Sequence, residues 1–136
     1  MVHALKDIWR VLAPGGVLLD LRPYSASWPV EIVARERVIR LGAVDDSLAL
    51  TDDIAASKAM QQVVDDGWYV REENGTFSYD WYWDTLDDLR THVEERWSPI
   101  TLPDAVYRRG QRLLADLNGV RVRVRLHMII GRYRKQ

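Results

Sequence analysis

The strongest constraint on this chain lies in its first twenty residues. Leu5, Ile8, Trp9 and Leu12 recur at helical spacing, Pro14-Gly15-Gly16 follows, and an unbroken apolar run begins at Val17. Proline cannot continue a helix and glycine accepts the left-handed conformation that ends one, so the spacing predicts a helix that stops here and turns into a strand over residues 17–21. A continuous apolar run of this length fits the middle of a parallel sheet better than an exposed antiparallel ribbon.

Further along, residues 28–41 read as a helix with Pro29 in its first turn, and residues 52–66 as a second, capped by Thr51 and closed by Gly67. Residues 68–83 read as a β-hairpin with Asn74-Gly75 at its tip, a pair favoured where both turn positions need positive φ. In that hairpin Trp68, Val70, Phe77, Tyr79 and Trp81 share an apolar face, opposite Tyr69, Arg71, Ser78, Asp80 and Tyr82. Thr85 and Asp88 have the spacing of a capping box for a helix that places Leu86, Leu89 and Val93 on one side. Pro103 opens another helix, with Val106, Leu113, Leu114 and Leu117 inward and Asn118-Gly119 as its stop. From Val120 to Ile130 apolar residues alternate with Arg121, Arg123, Arg125 and His127, the period of a two-sided strand.

A length of 136 residues suits one domain spanning the whole chain. The chain has no cysteine, which excludes disulfides and thiolate chemistry and fits a reducing, cytoplasmic compartment. With 19 basic and 20 acidic residues, net charge argues neither for nucleic acid nor for anionic lipid, and no apolar run approaches the length of a membrane span. The distribution is uneven. Fourteen acids lie between Leu41 and Ile100 against four bases, whereas nine bases face only Asp104 and Asp116 from Thr101 onward. This predicts an acidic middle and a basic end that neutralise each other within the fold. Alternate arginines on the last strand could instead track phosphates, but no nucleic-acid-binding motif accompanies them. His3, His92 and His127 lack metal-ligand spacing, and adjacent aspartates such as Asp45-Asp46 and Asp87-Asp88 diverge on a helix, so no metal is expected.

The opening helix, Pro-Gly-Gly turn and strand, followed by helices, an aromatic hairpin, Trp97-Ser98-Pro99, a helix and a terminal strand, resemble the C-terminal half of a class I S-adenosylmethionine-dependent methyltransferase of the type 11 kind. The resemblance is sharpest from Ala4 to Pro23 and otherwise follows the order of elements. It implies an α/β chain, α+β when taken alone: a partial Rossmann-like methyltransferase sheet with the hairpin, an antiparallel C-terminal strand and about five flanking helices. In that family the donor is held by a Gly-rich turn after the first strand and by acidic residues that follow, all in the half that would precede Ala4. No position here matches them, because Gly15-Gly16 follow a helix and precede a strand. The resemblance therefore assigns no donor-binding and no catalytic residue to this chain, and S-adenosylmethionine enters only if the domain is completed.

On the acceptor side the resemblance points to the loop after residue 21, where Arg22, Tyr24 and Trp28 would contact a substrate under a lid bearing Tyr79, Trp81 and Trp83. The alternative is that Arg22 pairs with an acid such as Asp20 or Glu31 and that the aromatics are core. Without the preceding half, the strand at residues 17–21 would present an unpaired apolar edge, which predicts a homodimer or a partner chain along it. Three functions follow: a methyltransferase-like fragment, inactive alone, that serves as an interaction or binding module; part of an active methyltransferase completed by upstream sequence or a partner chain; or a module that binds a small apolar ligand in an aromatic pocket.

Overall fold

The computed structural model describes residues 1–136 as a mixed α/β chain with four helices and a five-stranded antiparallel sheet. In order the elements are α1 (Val2–Val11), β1 (Val17–Pro23), β2 (Pro29–Ala34), β3 (Arg37–Ala43), α2 (Leu50–Asp65), β4 (Tyr69–Trp83), α3 (Leu86–Arg96), α4 (Asp104–Leu114) and β5 (Arg121–Lys135). The residues gather into two compact units. The first holds Met1–Tyr24, Leu50–Phe77 and Met128–Gln136; the second holds Ser25–Ala49 and Ser78–His127.

In the first unit α1 ends as its sequence dictates, with Gly15 at φ 70° in the turn before β1. β1 pairs antiparallel with the last part of β5, from Val17 opposite Arg134 to Pro23 opposite Met128. The helix α2 stops at Gly67, whose φ of 76° is open to glycine at little cost, and the Trp68 N–H then reaches the Val63 carbonyl at 3.0 Å. Its apolar side, Ala59, Met60 and Val63, packs with Leu5 of α1 and with Tyr69 and Tyr133 into one core. Tyr69 is 1% exposed, and its hydroxyl donates to the Leu5 carbonyl at 3.1 Å, so the one polar atom of a large buried ring is satisfied.

In the second unit β2 pairs with β3 and, on its other edge, with the first part of β5. Val30, Ile32, Val122 and Val124 are fully buried. The helix α3 begins at Thr85, whose Oγ1 accepts from the Asp88 N–H at 3.0 Å, the expected cap. The helix α4 follows Pro103 and packs on β3 and α3.

Three expectations are corrected. Residues 28–41 are not a helix but the strands β2 and β3, joined by a turn at Arg35-Glu36, which leaves four helices instead of about five. Val30 and Ile32 are alternate, β-branched and buried, which suits a strand paired with β3 on one edge and β5 on the other. Residues 68–83 are not a hairpin: β4 runs unbroken through Asn74-Gly75 because β5 pairs beside it, and Gly75 has no positive φ. The apolar face foreseen for that hairpin does not form either, for Val70, Phe77 and Tyr79 are exposed while Tyr69, assigned to the polar side, is core. Finally, β1 is not sandwiched between parallel neighbours. The strand pairings are antiparallel, and β1 ends the sheet path.

Candidate functional site

The alternation of β1 sorts its side chains between two environments within the first unit. Leu18 belongs to the core, and Asp20 and Arg22 share its face; Leu19 and Leu21 point the other way and are 62% and 57% exposed. Ile130, the register partner of Leu21, is 39% exposed, so an apolar strip runs along the outer side of the terminal strand pair. β1 hydrogen-bonds to β5 on one edge, and no strand pairs with its other edge.

On the inner side lies a cavity of about 330 Å³ lined by β1, α2, β4 and β5. Arg22 and Asp20 form an ion pair across one wall, with Arg22 Nε at 3.1 and 3.3 Å from the two carboxylate oxygens. The remaining guanidinium nitrogens reach α2: Nη1 donates to the Asp53 carbonyl at 3.3 Å and Nη2 to Ser57 Oγ at 3.0 Å. Of the two acids suggested by the sequence, Arg22 therefore takes Asp20. Arg71 of β4 lines the opposite wall, where its Nη2 donates to Gln61 Oε1 at 2.6 Å and its guanidinium stands 5.8 Å from the Tyr133 ring centre. Gly131, across from Asp20, is the gap that lets Tyr133 fold back, since a Cβ there would come within 2.6 Å of the ring.

The other foreseen residues fall in the second unit, apart from Tyr24, which is half-buried at the end of the first. Trp28, Tyr79, Trp81 and Trp83 join Trp97 and His92 in one aromatic cluster. The Trp81 ring centre lies 4.8 Å from that of His92, 5.7 Å from Trp97 and 6.0 Å from Trp83, and Trp28 stands edge-on to Trp97 at 5.7 Å. The sequence assigned neither Trp97 nor His92 to this cluster, although their spacing on and just beyond α3 was a signal. The imidazole occupies the space between three indoles, and its buried Nε2 has no hydrogen-bond partner. Burial first, and then Arg96, lowers its pKa below the ordinary 6.5, against a smaller opposing pull from Glu95. These rings pack on one another, with Trp28 buried and Tyr79 50% exposed at the margin of the cluster.

The arginines of β5 are partnered. In the second unit Arg123 binds Glu31 and Asp80, Arg125 binds Asp80, and Arg121 binds Asp84; in the first, Arg132 and Arg134 share Glu72. Arg125 holds the Asp80 carboxyl below its ordinary range despite burial. Through Asp80, Asp84 and Glu72 the acidic middle thus meets the arginines of β5, while Arg108 pairs with Asp104 of its own segment.

What fold and site define together is a mixed α/β chain with an antiparallel sheet in which β1, β3 and β4 each pair on one edge only, and with a charged cavity beside β1. Compared with protein-family models, with curated proteins and with solved structures, the chain matches none.

Proposed function

We propose that this chain is the C-terminal portion of a methyltransferase-like domain, inactive alone, and that it works as an interaction module by pairing β1 with β1 of a second copy. The observation that carries the reading is the free edge of β1 with Leu19 and Leu21 exposed beside it. An edge strand with apolar side chains and unpaired backbone groups associates readily, and burying the part of each leucine still exposed contributes about 1–2 kcal/mol. The family resemblance is supported by the order α1, Pro-Gly-Gly, β1 and by the antiparallel pairing of β1 with the terminal strand, the relation expected between the family's fifth and last strands. The reading assigns no donor-holding residue to this chain, so methyl transfer would require strands supplied from elsewhere.

Light scattering across a concentration series, with calorimetric titration of S-adenosylmethionine and S-adenosylhomocysteine into the same sample, tests both parts. A dimer that Leu19→Lys with Leu21→Lys converts to a folded monomer, together with no heat from either compound, supports the module. A monomer at every concentration overturns the dimer, and saturable donor binding moves the chain among the enzymes.

A further inference from the structure

From the inner side of β1 we infer a second property, independent of the edge: the cavity of the first unit is a binding site for a small organic monocarboxylate. The argument begins with charge. Among the residues lining the cavity the ionisable groups that carry charge are Asp20, Arg22 and Arg71. Asp20 is matched by Arg22, both of its oxygens lying within 3.3 Å of Nε. Arg71 is matched by nothing of opposite sign: its partner is the neutral amide oxygen of Gln61, which is itself held in place by donating to Asp65 at 2.6 Å. The cavity therefore carries one surplus positive charge.

A cation beside a partly enclosed space attracts an anion, and a guanidinium binds an oxyanion through parallel N–H donors in one plane. The surplus selects the charge of the ligand. A monoanion brings the site to neutrality, whereas a phosphate dianion would leave one negative charge against the Asp20 carboxylate.

The rest of the lining selects what the carboxylate is attached to. Met60 and Tyr133 are buried core side chains that also wall the cavity, and Gly131 removes the side chain that would otherwise stand opposite Asp20. Ser57, Asn74 and Thr76 add uncharged polar groups. A volume of about 330 Å³ lies at the small end of the range for small-molecule pockets. The geometry suits a compact ligand whose apolar body lies on Met60 and the Tyr133 ring while its carboxylate meets Arg71.

The test titrates the full chain, isotope-labelled for NMR, with benzoate, phenylacetate and hexanoate, and in parallel with neutral benzamide and inorganic phosphate. Saturable shifts of the Met60 methyl and of the Gly131 and Tyr133 amides with at least one carboxylate, at least tenfold weaker for benzamide, are expected, since losing one charge-assisted contact costs roughly tenfold or more. Arg71→Met, an exposed position whose replacement leaves the core intact, should weaken carboxylate binding by a similar factor while thermal unfolding stays near that of the parent. Arg71→Lys should recover part of it. Benzamide binding as tightly as benzoate, undiminished affinity in Arg71→Met, preference for phosphate, or no saturation with any of the three carboxylates would each overturn the assignment.

Discussion

The imidazole of His92 stands edge-on to the indole of Trp81, ring centres 4.8 Å apart and planes at 81°, with Trp83 and Trp97 against its other sides. A histidine so enclosed folds in its neutral form. Its pKa is lowered by burial and by Arg96, so between the ordinary value of 6.5 and the depressed one the unfolded chain binds more protons than the folded chain. Stability linked to His92 is thus full above pH 6.5 and is lost as the pH falls through the lowered value. Thermal unfolding measured from about pH 8 down to about pH 5.5 should show the midpoint falling, and His92→Phe should flatten the fall in that window. Asp45 and Asp80, the lowered acids of this unit, both titrate from a reference of 3.8 and leave the window to His92. An unchanged slope in the variant would refute the assignment.

Arg123 is 8% exposed and reaches Glu31 Oε2 at 2.6 Å and Asp80 Oδ2 at 3.5 Å, with the Tyr82 hydroxyl at 3.4 Å. Removing it strands the Glu31 carboxylate, which is half-buried between β3 and β5, whereas Asp80 keeps Arg125. Arg123→Met should cost about 3–5 kcal/mol in denaturant unfolding, because an uncompensated buried charge costs more than the pair contributes. Adding Glu31→Leu should recover much of that loss. Equal destabilisation by single and double variants would show that the loss comes from packing of the arginine stem instead.

The chain's own signals explain which parts of this architecture are readable before folding. Punctuated local elements are legible in place though not at every boundary: α1 with its Pro-Gly-Gly stop, α2 with Gly67, α3 with Thr85, α4 after Pro103 and β5 with its alternation are all found, whereas Thr51, read as the cap of α2, lies inside it, and α4 ends at Leu114, short of Asn118-Gly119. β2 and β3 are misread because the Arg35-Glu36 turn carries no glycine, proline or asparagine, and because charged residues at 31, 35, 36, 37 and 40 mimic the polar side of a helix. Asn74-Gly75 misleads in the opposite direction, a strong turn signal overruled by pairing with a strand some fifty residues away. The Arg22–Asp20 pair is legible because the two stand two residues apart on one face of β1. Ser57, Arg71 and Gly131, which complete its cavity, come from three other elements and share no local pattern.

The same reliance on contacts distant in sequence governs the junction of β3 with α4, where Gly42 meets Val106. Gly42 has φ 154°, a conformation that L side chains rarely adopt, and a Cβ built on it would stand 2.7 Å from Val106 Cγ2. Strain and overpacking act in the same direction here, each typically 1–3 kcal/mol, so Gly42→Ala should destabilise by about 3 kcal/mol. The two contributions separate in a double-mutant cycle. Val106→Ala removes the methyl that clashes, so in the Gly42→Ala background it should be less costly than in the parent by about 1 kcal/mol, leaving the backbone strain as the remainder. Additive losses in urea unfolding would mean that the backbone alone forbids a side chain at position 42, and that α4 can shift away from β3 without cost.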